Sequence, residues 1–153
     1  MGKKRDETGL KFPKLKKVKE RKLTVAKVQT AVNKAVRERD QFCRVQDGRH
    51  PCNGVLTASH FHSVGGHSPF RFYPLNIHAQ CFGHHGIHER KQDPFFYREF
   101  MLQNHGKSLD FMERNFFKSI KYTQPVLRDI MNYAKAGDLD GLTAYIEKLI
   151  LEA

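Results

Sequence analysis

The sequence predicts an α+β fold: a small metal-holding centre built on two strands, with a helix before it and a helical region after it. Three observations carry that prediction. Residues 24–40 have the apolar spacing of an amphipathic helix. Residues 41–92 gather histidine, cysteine and turn residues around short apolar runs. Residues 93–153 return to helical periodicity with clear start and stop signals.

Thr24 is placed to cap the first helix. Val25, Val28, Val32, Ala35 and Val36 recur at helical spacing, and Lys27, Lys34 and Arg37 occupy the opposite face. From Gln41 the pattern changes. Asp47-Gly48, His50-Pro51 and Asn53-Gly54 punctuate a turn-rich stretch. "VLTASHF" and "PFRFYP" then read as two short strands joined through Gly65-Gly66, and the latter part of "LNIHAQCFGHHGIHERKQ" can be helical. Asp93 and Pro94 open a further helix that Gly106 stops. Ser108 caps "LDFMERNFFKSI", Thr123 starts "QPVLRDIMNYAKA", and Asp138 or Asp140 starts the last helix. Six of the twelve phenylalanines fall within residues 95–117, where they are expected in the core and not on a base-stacking surface.

With 153 residues, 39% of them hydrophobic, the chain is expected to form one modest core, a single domain over residues 24–153. No apolar run reaches the roughly 18 residues of a membrane span. The N-terminus has no apolar signal-like stretch, so a cytoplasmic protein is expected. The formal charge is +11, and the first 22 residues hold ten basic residues against three acidic ones. Residues 1–23 therefore read as a basic flexible arm, which either keeps the chain soluble or seeks phosphate.

Eight of the nine histidines lie between His50 and His88, and the three cysteines, Cys43, Cys52 and Cys81, lie in or beside that window. An odd cysteine count in a reducing compartment argues against a disulfide framework. Cys81 and His84 stand at C-x-x-H spacing, suited to one tetrahedral zinc ion, and Cys43 and Cys52 can supply the other two ligands. His50 is the substitute if Cys52 does not reach. A second group has a strand histidine, His60, then Asn76, then His85 on a helix, the order of a ββα-metal site. In such a site one histidine is not a ligand but a general base, which suits imidazole because it titrates near neutrality. The Asn76 amide is suited to tying the loop to the strand.

"ASHF", "RFYPLNIHAQC" and "CFGHH" resemble the HNH endonuclease superfamily and, more closely, the phage NinG (Rap) recombination nucleases. The similarity extends to "VQTAVNKAVRERDQFC" upstream and "KYTQPVLRDIMNY" downstream. The resemblance implies an HNH-like nuclease domain that cuts branched recombination intermediates with Mg²⁺ or Mn²⁺. It implies His60 as base, Asn76 as the middle asparagine, His85 as a ligand of the catalytic ion, and Cys43 and Cys81 as first members of two zinc knuckles. The chain departs from that pattern in three places. Gln46 stands where a partner of Cys43 belongs, His84 partners Cys81, and Ser59 precedes the base where an acid or histidine is frequent. His62 or His88 is then expected to complete the catalytic ion's shell. Arg71, Lys27, Lys34 and Arg37 are candidate DNA contacts. A zinc-stabilised DNA-binding module without catalysis is the main alternative, and a histidine-rich interaction protein fits the charge least. The sequence leaves monomer and homodimer open.

Overall fold

The computed structural model describes residues 21–65, 68–93 and 95–153. Most of the expected basic arm lies outside these residues. At its end Leu23 is fastened to the helix of residues 124–136: its N–H donates to Gln124 Oε1 (3.0 Å) and its carbonyl accepts from Gln124 Nε2 (2.8 Å). No helix among the described residues is long and apolar enough to cross a membrane.

Helix α1 spans Val25–Asp40, with the Thr24 hydroxyl accepting from the Lys27 N–H. Val28, Val32, Ala35 and Val36 are its buried stripe. Its last residue is a buried carboxylate. Asp40 accepts from its neighbour Arg39 and, at 2.7 Å, from the Ala79 N–H, which fixes the helix end to the sheet.

Strand β1 (Leu56–His60) pairs antiparallel with β2 (Ile77–Cys81), so that Leu56 faces Cys81 and His60 faces Ile77. The second strand is therefore not "PFRFYP". Those residues make successive tight turns ending in a single 3-10 turn, Pro74–Asn76, with N–H groups of Arg71, Tyr73 and Asn76 each reaching back three residues. Pro69 and Pro74 have no N–H for a ladder, and Phe70, Phe72 and Tyr73 go into the core from these turns. The true strand, "IHAQC", is buried at all five positions and shows no alternation to read.

Helix α2 (Phe82–Glu89) follows β2 without a linker. Gly83 and the 52–55 loop approach closely here: a Cβ on Gly83 would lie 2.5 Å from Asn53 Oδ1. Helix α3 (Phe96–Arg114) is two helical runs joined across a kink, and the chain leaves helical geometry at His105 (φ −137°, ψ 32°), one residue before the stop expected at Gly106. The helix stops at Arg114, short of Ile120. Asp93 still caps its start by accepting from the N–H groups of Phe95 and Phe96.

Helices α4 (Gln124–Ala136) and α5 (Leu139–Glu152) close the chain, separated by Gly137 at φ 68°. Asp138, not Asp140, caps α5, accepting from the Gly141 N–H. The expectation of six core phenylalanines needs correction. Phe96 is buried and Phe100 and Phe111 are half-buried, but Phe95, Phe116 and Phe117 are 64%, 61% and 81% exposed.

Candidate metal centre and adjoining cleft

The left-handed residue Gln41 ends α1, and Arg44 then donates its N–H to the Ala79 carbonyl (2.8 Å), laying Cys43 alongside β2. Cys81 ends β2 and caps α2, its sulfur accepting the His84 N–H at 3.4 Å. The 52–55 loop is pinned onto the first turn of α2 by bonds from Phe82 N–H to Val55 and from Gly83 N–H to Asn53. These three anchors bring Cys43, Cys52, Cys81 and His84 together, with ligand atoms all within 4.8 Å of one another.

The distances suit one tetrahedral ion. With zinc–sulfur and zinc–nitrogen bonds of about 2.3 and 2.0–2.1 Å, a tetrahedral S···N edge is about 3.6 Å. His84 Nδ1 lies 3.6 Å from Cys43 Sγ, 3.6 Å from Cys52 Sγ and 3.1 Å from Cys81 Sγ. The cluster can thus hold a metal such as zinc, and Cys52 is within reach despite its eight-residue separation from Cys43. Gln46 takes no ligand position; its amide donates to the Cys43 carbonyl.

Charge in the cluster is uneven. Burial pushes the Cys43 thiol up to about 12. Burial acts on Cys81 too, but hydrogen bonding from His84 outweighs it and brings that thiol down to about 6. The helix N-terminus favours the thiolate at the same place. A dication at the centre would make thiolates of all three.

Behind His84 stands Asp47, which sequence reasoning read only as part of a turn. Its Oδ1 is 3.4 Å from His84 Nε2, so that an Nε2–H donating there leaves Nδ1 free to ligate. His50, the substitute ligand, instead lies 2.6 Å from Asp47 Oδ2 through its Nδ1. Burial raises the Asp47 pKa, but bonds from His50, Arg49 and His84 overcome it and hold the carboxyl well below the usual range.

On the other side of α2 a cleft of about 690 Å³ opens between that helix, β1 and the following loop, lined among others by His60, His85, His88 and Glu89. His60 donates Nε2–H to the Arg71 carbonyl (2.9 Å), which leaves Nδ1 as the proton acceptor. Burial lowers its pKa below the ordinary histidine value, so the ring is neutral at neutral pH. Asn76 is buried and bridges the loop: Oδ1 accepts from His62 N–H (2.8 Å), and Nδ2 donates to the carbonyls of His62 and Phe70.

His85 Nδ1 lies 2.9 Å from Thr57 Oγ1, and its Nε2 lies 3.0 Å from Glu89 Oε1. His88 sends Nε2–H to the His60 carbonyl (3.0 Å). His62 is not among the residues lining the cleft; its ring packs against Phe61, Phe70 and Phe116. Ser59 is buried and its hydroxyl has no partner among the described residues. The Arg71 guanidinium holds the carbonyls of Val64 and Gly65. Lys27 and Lys34 are exposed on α1, Lys34 beside Glu38 at 3.4 Å, and Arg37 is half-buried. Neither Thr57 nor Glu89 was singled out from sequence, although a histidine and a glutamate four apart on a helix share one face.

No curated protein and no solved structure matches the chain. The profile of the family described as Bacteriophage Lambda NinG protein matches residues 2–140, and the chain belongs to that family.

Proposed function

We propose that this chain is a metal-dependent endonuclease of the HNH type, cutting branched DNA during phage recombination in the host cytoplasm. One observation carries the reading: a neutral histidine with a fixed ring and a free acceptor nitrogen, His60, lines the same open cleft as His85. A purely structural zinc module has no use for such a histidine.

In this reading β1, β2 and α2 form a ββα-metal core in which His60 Nδ1 removes a proton from the attacking water. Asn76 keeps the 61–70 loop against the sheet, so that the Arg71 carbonyl stays in place to orient the His60 ring. His85 is the histidine placed to hold the catalytic ion, Mg²⁺ or Mn²⁺. When bound, such an ion supplies charge stabilisation to the leaving oxygen of the phosphodiester. The zinc cluster holds the 41–55 segment on α2 and takes no part in the chemistry. Lys27, Lys34, Arg37 and the basic N-terminal residues contribute phosphate contacts, which set position without reading bases. Arg71 contributes one more from its remaining guanidinium donors.

The test is cleavage of a four-way junction, a flap and a plain duplex, with Mg²⁺ or Mn²⁺ present or absent. The branched substrates should be cut near the branch point. His60→Ala should lower the rate by about 10²–10⁴ while DNA binding persists. A His60→Ala protein that cuts as fast as the parent sinks the assignment. DNA binding without any cutting points instead to a zinc-stabilised binding module.

A further inference from the structure

We infer that His85 and Glu89, one turn apart on α2, are the protein's two ligands for a hard divalent cation, and that Thr57 fixes the histidine for that task. This deepens the reading above and rests on it only for what the ion does.

The first argument is a count of protons. The Thr57 hydroxyl has one hydrogen, and it goes to the Gln80 carbonyl at 3.1 Å. Its oxygen therefore accepts from His85, whose Nδ1 carries the ring's proton at 2.9 Å. That leaves Nε2 as the ring atom facing the Glu89 carboxylate, 3.0 Å away, where a proton or a cation can join the two.

The second argument is spacing. Mg²⁺ holds its ligands near-octahedrally at 2.0–2.1 Å, so two neighbouring ligand atoms lie about 2.9 Å apart. The observed 3.0 Å fits that edge. Third, the pair lines the cleft that holds His60, and the Glu89 side chain is 68% exposed, so waters and a phosphate oxygen can complete the shell. One or two protein ligands with waters and phosphate is the ordinary way Mg²⁺ is held.

The other candidates are placed less well, His62 because it does not line the cleft although its buried Nε2 has no partner among the described residues. His88 Nε2 is spent on the His60 carbonyl, and His62 sits among aromatic rings. Glu89 thus supplies the carboxylate that the position of Ser59 lacks. The competing explanation is an ordinary imidazolium–carboxylate pair along a helix, a weak interaction that would bind nothing.

Mn²⁺ titration of the zinc-loaded full chain, followed by electron paramagnetic resonance, separates the two. The parent should bind Mn²⁺ outside the zinc cluster, with Mg²⁺ competing. Glu89→Gln keeps a hydrogen-bonding side chain and should lower Mn²⁺ affinity by at least about tenfold, with zinc content and helicity unchanged. Glu38→Gln, on α1, should change nothing. Equal affinity in Glu89→Gln and parent overturns the site, as does a parent that binds no Mn²⁺. Mn²⁺ binding through Glu89 without DNA cleavage upholds the site and defeats the nuclease reading. Cleavage by the parent alongside undiminished Mn²⁺ affinity in Glu89→Gln does the reverse.

Discussion

Asp47→Asn isolates the charge behind the metal cluster. In the parent, Asp47 Oδ1 accepts the backbone N–H groups of Arg49 and His50, both at 3.0 Å, and faces His84 Nε2 at 3.4 Å. An asparagine keeps Oδ1 and so keeps the turn. It places an NH₂ group toward His50 Nδ1, which can accept from it by changing tautomer. The negative charge that makes His84 a stronger donor to metal is what disappears. The carboxylate side chain is only 6% exposed and His84 is fully buried, so water screens this loss poorly. Removing such a partner typically weakens metal binding by about 10–100-fold, or about 1.4–2.7 kcal/mol. With zinc in excess the same energy leaves the folding equilibrium, a fall of about 3–10 °C in Tm for a chain of this size. Competition against a chromophoric chelator gives the zinc dissociation constant, and melts with and without zinc give the coupled stability. A variant that holds zinc within twofold of the parent refutes the role assigned to Asp47. So does a Tm drop that is equally large without zinc, since that would be damage to the turn alone.

Two further outcomes follow from the same geometry. Cys52→Ala should lose most zinc affinity while His50→Ala retains it, measured by the same competition; the opposite order would make His50 the fourth ligand. Stability should fall as pH drops below about 6.5, because burial lowers the pKa of His60, His62, His88 and His105 and puts His78 well below its usual value. In that window the unfolded chain binds more protons than the folded one, so stability rises with pH by up to about 1.4 kcal/mol per unit for each histidine. Urea midpoints at pH 7.5, 6.0 and 5.0 under saturating zinc check this, and His105→Asn should flatten the slope; a flat profile in the parent contradicts it.

What could be read from the sequence, and what could not, divides along physical lines. The first helix was legible because one face is buried and the other is not, which is what helical periodicity reports. The metal cluster was legible in its ligands because Cys43, Cys52, Cys81 and His84 have few other reasons to share a short window. The second strand was hidden. His78 and Gln80 break its apolar run, yet both are buried, His78 against Tyr97 and His105. "PFRFYP" misled for the converse reason: its aromatics suit a strand, but they reach the core from turns that its prolines enforce. Gly106 was legible as a break to within one residue, since helical geometry is interrupted at His105 before a second helical run follows.

The second-layer groups were invisible because their importance comes from a neighbour distant in sequence. Asp47 matters through His84, 37 residues on, and Thr57 through His85, 28 residues on. Those two histidines are adjacent, and that adjacency ties the two sites together. Consecutive residues on a helix point about 100° apart, so His84 turns into the cysteine cluster while His85 turns into the cleft. The eight residues of α2 are too few to form a helix alone. Their first turn is held by Cys81, by the Asn53–Val55 loop and by whatever ion the cluster binds. Any loss of that ion must therefore loosen His85, Glu89 and His88 together, although none of them touches it. Cleavage and Mn²⁺ binding should both decline when zinc is stripped, and both should return when zinc alone is restored. A Mn²⁺ affinity indifferent to zinc would mean that α2 is held by its packing on the strands and that the two sites are independent.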